Sequence, residues 1–569
     1  MESLPIFIFA LILNAVRSEI CSSQFPTWTS ENGVLKVNGN TFHLKGTSWF
    51  GMETTDHAPH GLWGDLPISH YINVLTSHNF TALRFPFSVK LVLSNPTNTE
   101  VNCAANGQTV CNYDYLDLMG HVIGELGNAG IVVMLDQHRL NDQALAPLWY
   151  DSEFTEAKTL DAWDILLGRF GNKWNVFALD LTNEPYEAEW GKGDLSKDWN
   201  KAAERIINHI ATNFPTFKGL FFVEGVGGFG ADSPNTHNWW HFWGENMEGV
   251  HLHPIDTGSD ALNKRVVHSP HVYGPDVAHQ TYFDDVNFPS NMPEIWSTHF
   301  GFTESLTGRA SVIGEWGGFY VSGTKDRTWQ NAISAWMIDN CQSDNFYWCL
   351  NPNSGDTGGI LNDDWTTVNG DKIELLRQTQ PNPSKLVYTN GQYCLTQGAP
   401  ANPACSDGSE PPPTSPPESE TTTTADSAPT TTTSTQLAPT TSTQAPTTTS
   451  PITTQAPTSG DIEITSQMVN SWKTRGQQKM EVALKIKNNS NQKMCGSAYV
   501  VMTNSVQIDS QWNIDCVPSC PGPDTDGVFR YQLPDWLSLL PGEEYNDVGM
   551  HVFGLTLPQF LMESYSTSC

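Results

Sequence analysis

Two acids in this chain stand where chemistry is possible. "FALDLTNEPY", Phe177 to Tyr186, runs through apolar residues and ends on Asn183-Glu184-Pro185. "ASVIGEWGG", residues 310–318, ends in the same way on Glu315. A buried carboxylate is costly unless it is paired or used, and proline stops a sheet from continuing. Glu184 therefore reads as a strand-end acid, with a solvated turn acid as the bland alternative. Two carboxylates facing one another are the minimum for cleaving a glycosidic bond. One must hold a proton for the leaving oxygen and the other must be ionised to attack, and their proximity drives the two pKa values apart.

The other candidate strand ends carry polar or aromatic groups: Arg84, His138, Asn183, His271, Tyr273 and Trp348. Each alone reads more readily as structural. Counted with Glu184 and Glu315 they converge from six strands, which is much harder to explain as packing. His138 and His271 also raise the option of a metallohydrolase, but neither stands in an HxH or HExxH spacing, so neither a metal nor a cofactor is expected.

These residues need a scaffold that gathers strand ends. Eight apolar segments read as strands: "FHLKGTSWF", "TALRFPF", "GIVVMLDQH", "VFALDLTNEP", "GLFFVEGV", "RVVHSPHVY", "ASVIGEWGG" and "NFYWCLNP". Helical patterns lie between them. In "DWNKAAERIINHI", Trp199, Ala203, Ile206, Ile207 and Ile210 share one face at the helical period. Strands alternating with helices over some 350 residues predict an α/β fold, a (β/α)₈ TIM barrel whose chemistry gathers at the C-terminal strand ends. A doubly wound open sheet is the alternative. It usually carries a Gly-rich phosphate turn after its first strand, which this sequence lacks.

The chain of 569 residues exceeds one ordinary domain, and its formal net charge is −32. That charge argues against nucleic acid and anionic membrane surfaces. Its 20 Trp, 15 Tyr and 26 Phe suit a large core and a sugar-binding surface. Residues 1–18 read as a signal peptide whose apolar run, Leu4 to Val16, is too short to span a bilayer. A secreted, extracellular protein is expected, and with it disulfides among the 11 Cys; Cys103 and Cys111, Cys341 and Cys349, and Cys394 and Cys405 are close in sequence. Asn79-Phe80-Thr81 and Asn488-Asn489-Ser490 are candidate N-glycosylation sites. Residues 406–460 are rich in Pro and Thr and have no aromatic residue, Lys or Arg, so they read as an extended linker. It separates a domain at 19–405 from one at 461–569. In the latter, Met480, Val482, Leu484 and Ile486 alternate with more polar residues, which predicts an all-β sandwich.

"LTNEP" and "VIGEWGG", joined by "WFGMET", "HGLW", "LRFPFS", "LDQHR", "HVY" and "NPNSGDTGGILNDDW", resemble the motifs of glycoside hydrolase family 5. The resemblance is to a bacterial-type endo-β-1,4-glucanase and extends from Gly33 to about Gln380. It implies Glu184 as acid/base and Glu315 as nucleophile. It places Asn183 against the sugar 2-hydroxyl, Arg84 near the nucleophile, His138, His271 and Tyr273 in the polar shell, and Trp348 under the sugar. Trp49, Trp63 and Trp243 resemble substrate-cleft positions. Thr182 and Leu350 depart from the family pattern, where His and a second Trp are common. "VNSW" and "LPDWLSLLPGEEY" resemble the family 49 cellulose-binding module, related in pattern to family 2. That implies Trp472, Trp512, Trp536 and Tyr545 as candidate cellulose contacts. The expected partner is cellulose or a related β-glucan, and the expected state is a monomer. Other β-glycanases acting on mannan, xylan or mixed-linkage glucan, or a non-catalytic wall-binding protein, are the alternatives.

Overall fold

The computed structural model describes residues 19–98, 100–405, 462–474, 477–502, 508–512, 515–517, 529–533, 537, 539–553 and 556–566. The chain divides into two compact units between Pro417 and Glu418.

The first unit is built on eight parallel strands. They are β1 (Lys45–Ser48), β2 (Ala82–Ser88), β3 (Val132–Arg139), β4 (Val176–Asp180), β5 (Leu220–Val223), β6 (Val266–His268), β7 (Ile313–Trp316) and β8 (Asn345–Tyr347). Neighbours in sequence pair in parallel from β1 to β6, β8 pairs with both β1 and β7, and parallel bridges His268–Ser311 and His271–Glu315 join β6 to β7. The ring is thus the expected (β/α)₈ barrel. Around it lie α1 (Ile68–Ser77), α2 (Tyr115–Asn128), α3 (Glu156–Phe170), α4 (Trp199–Asn213), α5 (Lys325–Asp339) and α6 (Gly370–Thr379). In α4 the five residues on the predicted face are all buried.

Side-chain alternation separates two apolar layers. Ala82, Val132, Met134, Phe222, Val267, Val312 and Phe346 belong to one cluster. Leu83, Phe85, Val133, Leu135, Phe221, Val223 and Val266 join the helices in another. Following the first register upward, β3 changes from Val132 and Met134 to Asp136 and His138. Its base is apolar and its mouth is polar, as a barrel with a working C-terminal face requires.

Among the described residues the disulfides are Cys21–Cys394, Cys103–Cys111 and Cys341–Cys405. Only the middle one joins sequence neighbours as expected. Cys349 is buried and unbonded, because it follows β8 inside the barrel layer, whereas Cys341 lies beyond the end of α5. Cys394 instead faces Cys21 directly across an antiparallel strand pair.

The second unit contains two four-stranded antiparallel sheets. One has the order Ile462–Thr474, Gln477–Asn488, Glu544–Phe553, Ile508–Trp512; the other Asp515–Val517, Phe529–Gln532, Cys495–Met502, Phe560–Ser566. Val482, Leu484, Ile486, Val500, Met550 and Val552 form its core, which fits the predicted alternation. Asn488 is buried with its Nδ2 donating to Gln492 O and Leu539 O. That removes it as a glycan acceptor, whereas Asn79 is exposed. The expected signal peptide, the linker and Trp536 lie outside the described residues, as do the side chains of Trp472 and Trp512. Tyr545 is half-buried against the core.

Candidate active site

Arg84 on β2 anchors the mouth. It is fully buried, and four carboxylates surround it. Its Nε donates to Asp180 Oδ2 at 2.9 Å, and its Nη1 lies 3.1 Å from Asp136 Oδ2. Its Nη2 lies 3.3 Å from Glu224 Oε1 and donates to Asn183 Oδ1 at 2.8 Å. Its Nη1 also donates to Glu315 Oε1. Asp136 and Asp180 are register neighbours on β3 and β4, so adjacent strands present both acids to one guanidinium. Asp180, the lone acid within "FALDL", is thereby explained.

Glu315 is the penultimate residue of β7, where the register with β8 shifts, a feature that re-aims a side chain. The preceding Gly314 is required: a Cβ there would sit 2.3 Å from Ser269 Oγ and 2.8 Å from His271 Nε2. Tyr273 donates its hydroxyl to Glu315 Oε2 at 2.6 Å. Burial raises the Glu315 carboxyl pKa, but His271, Arg84, His138 and the Tyr273 hydroxyl outweigh it and hold it below the usual range.

Glu184 lies just beyond β4 with φ of +45°, an unusual conformation for a residue with a side chain. Its backbone N–H donates to Glu224 Oε2 at 2.7 Å, which helps hold that turn. Its carboxyl stands 3.1 Å from His271 Nδ1, while His271 Nε2 is 3.1 Å from Glu224 Oε1. Glu184 keeps 12 % of its side chain open to solvent. Burial and the nearby Glu315 push its pKa up to about 7, against the His271 contact. A carboxylate oxygen of Glu184 and one of Glu315 lie within 4.8 Å of each other.

The remaining groups complete the mouth. His138 Nδ1 lies 2.8 Å from Asp136 Oδ2, and burial lowers its pKa to about 3. Trp348 is half-buried, its ring within 10° of parallel to both His138 and Phe50. Thr182 accepts from Gln137 Nε2 at 3.0 Å. Trp243 is 44 % exposed and stacks on Tyr186 at 4.0 Å. Trp63 is half-buried at the rim against Trp365. Trp49 has no exposed surface, and its Nε1 donates to His60 O at 3.0 Å. It is a core residue and offers no face to a ligand.

Sequence reasoning missed Asp136, Asp180 and Glu224 as members of this network. Asp180 ends β4 and Glu224 directly follows β5, and that position was the available signal; Asp136 lies within β3, ahead of Gln137 and His138.

A (β/α)₈ barrel whose mouth holds two close carboxylates, one held ionised and the other kept protonated toward neutral pH, is the architecture of a glycoside hydrolase. The cellulase family, glycosyl hydrolase family 5, matches residues 35–354. The major extracellular endoglucanase of Xanthomonas campestris pv. campestris is 38% identical over 347 residues, 60% of this chain and 69% of that protein. An endoglucanase of Paenibacillus polymyxa is 35% identical over 63% of this chain and 88% of that one. The structure of a Pyrococcus horikoshii endocellulase in complex with cellotetraose is similar at 36% identity and a TM-score of 0.58, covering 63% of this chain and 99% of that one. The chain belongs to glycosyl hydrolase family 5.

Proposed function

We propose that the protein is a secreted, retaining endo-β-1,4-glucanase that cuts internal bonds of cellulose by double displacement. Glu184 is the proton donor and later the base; Glu315 is the nucleophile. The observation that carries this reading is the acid pair: two carboxylate oxygens within 4.8 Å, with pKa values moved in opposite directions. Retaining enzymes hold their carboxyls about 5–5.5 Å apart, whereas inverting ones need roughly 6.5–9.5 Å to admit a water. Arg84, His271 and Tyr273 keep Glu315 ionised and fix its attacking oxygen. Asn183, held by Arg84, is placed to bind the 2-hydroxyl as charge develops at the anomeric carbon. Trp348 supplies an aromatic platform for the sugar, with Trp243 and Trp63 along the cleft.

Residues 1–18 direct secretion, and the three disulfides of the first unit fit an oxidising compartment. Residues 461–569 act as a cellulose-binding module tethered by 406–460. No helix among the described residues is long and apolar enough to cross a membrane.

A substrate panel with product analysis tests the class. Short oligosaccharides should appear from carboxymethylcellulose and not from mannan or xylan. The reverse preference would reassign the substrate. Truncation after Cys405 should leave soluble-glucan hydrolysis almost unchanged and weaken retention on insoluble cellulose, because a tethered module raises local concentration. Equal retention of both forms would remove the binding-module assignment.

A further inference from the structure

The loop after β5 holds a second buried cluster that takes no part in the reaction proposed for the acids. His237, His241 and Glu248 come from this loop, and His299 from a single π-helical turn, Ser297–Gly301, between β6 and β7. One donor atom from each of the four lies within 4.8 Å of the others. His237 Nε2 and His241 Nε2 are both 2.7 Å from Glu248 Oε1, and the His241 and His299 rings have centroids 3.8 Å apart. Apart from His237 at 12 %, these side chains are all but closed to solvent.

Hydrogen bonds leave this cluster incomplete. Both ring nitrogens of His299 and Nδ1 of His241 have no hydrogen-bond partner. Glu245 Oε1 approaches His299 Nδ1 at 3.0 Å, but out of alignment for a hydrogen bond. Buried imidazoles whose ring nitrogens have no hydrogen-bond partner, packed beside a carboxylate, call for a cation.

We propose that His237, His241, Glu248 and His299 bind one divalent transition-metal ion, zinc foremost, which ties the β5–β6 loop to the barrel wall. Three imidazoles and one carboxylate make a four-coordinate N/O set suited to zinc, whereas calcium and magnesium favour all-oxygen sites. Four protein ligands fill a tetrahedral shell, so the ion is structural. Glu245 beside Nδ1 is the outer carboxylate that commonly orients a metal-bound imidazole, which leaves Nε2 of His299 for the ion. The same loop carries Trp243, stacked on Tyr186, and Gly244, where a Cβ would meet Glu224 Oε2 at 2.7 Å. The ion therefore holds an exposed cleft aromatic in register with the acid pair.

The test uses the full-length chain, stripped with a chelator, dialysed and titrated with zinc chloride. One equivalent should bind, and the melting temperature should rise on binding. His237→Ala replaces the most accessible ligand. With its far-ultraviolet circular dichroism unchanged, it should lose about 100-fold or more in zinc affinity, at least the loss seen when an outer-shell partner is removed. Glu315→Ala should still bind one equivalent, which separates this site from the acids of the mouth. Absence of stoichiometric binding by the native chain, or native affinity in His237→Ala, would overturn the proposal.

Discussion

Around Arg84, one guanidinium faces Asp136, Asp180, Glu224 and Glu315. Around Glu248, two imidazoles share one carboxylate oxygen, and among the described residues no Lys or Arg forms an ion pair with it. Both clusters bury carboxylates and histidines on the same barrel, yet they meet the cost of burial differently. In the first, the cation is part of the chain, and its single charge is divided among four acids. Burial drives Asp136 up to about 7 and Asp180 to about 6, despite Arg84; Glu315 alone of the four is held below its usual range. The effect is selective: one acid is kept ionised within a set that otherwise tends to hold protons. In the second, ring nitrogens have no hydrogen-bond partner, and the cation has to come from solution. A fixed internal charge suits a nucleophile that must be ready before substrate arrives. A borrowed ion suits the fastening of a loop.

Exchanging the central acid of each cluster sharpens the contrast most. Glu315→Ala should reduce kcat on every glucan and aryl glycoside to background, because no covalent intermediate can form. Glu248→Gln should act mainly on melting temperature and KM, with kcat kept within about threefold. Equal kcat losses in both variants would mean that the second cluster belongs to the chemistry.

Glu184→Ala comes next. On cellulose it should lose about 10²–10⁴-fold in kcat, the usual share of general acid–base catalysis. On an activated aryl glycoside, whose leaving group needs no proton, formation of the glycosyl-enzyme should persist and added azide should speed turnover. Azide rescue of Glu315→Ala with an inverted product, and none of Glu184→Ala, would exchange the two roles.

The pH profile should show smaller changes with a definite sign. Glu184 must enter protonated, so kcat/KM should fall as pH rises through about 7. Glu315 must enter ionised, and its pKa is held low, so the acid limb should lie below the ordinary carboxylate range. An acid limb near 7 would contradict the division of charge around Arg84.

The smallest effect is expected at the cleft aromatic. Trp243→Ala should raise KM by roughly 2–10-fold, which corresponds to an aromatic contact worth about 0.5–1.5 kcal/mol, and should leave the pH limbs in place. A shift of those limbs would couple the loop to the acid pair more closely than stacking alone implies.

Much of the mouth was legible in the sequence because barrel strands announce themselves as apolar runs and their last residues face the site. Glu184, Glu315, Arg84, His138, His271 and Tyr273 were all readable in that way. Glu224 was not, although it ends "GLFFVE" in the same manner, since no neighbouring amide or proline set it apart. Trp49 looked like a cleft residue, and its burial depends on packing against Tyr71 and His60, contacts that come from a later segment. The disulfide partners were hidden for a similar reason. Cys341 and Cys349 are close in sequence but separated by the barrel wall, whereas Cys21 and Cys394 meet only when strands from the two ends of the unit pair. The histidine cluster left a weak trace, His237-x₃-His241; its other members, Glu248 and His299, join it only through the fold.

In the proposed reaction Glu315 attacks the sugar directly, while Glu184 serves first as acid and then as base. Proton NMR of the first product released from a soluble cello-oligosaccharide tests this most directly. The β-anomer should appear first, with the α-anomer following only at the rate of mutarotation. An initial α-anomer signal would mean that water, not Glu315, attacks the anomeric carbon.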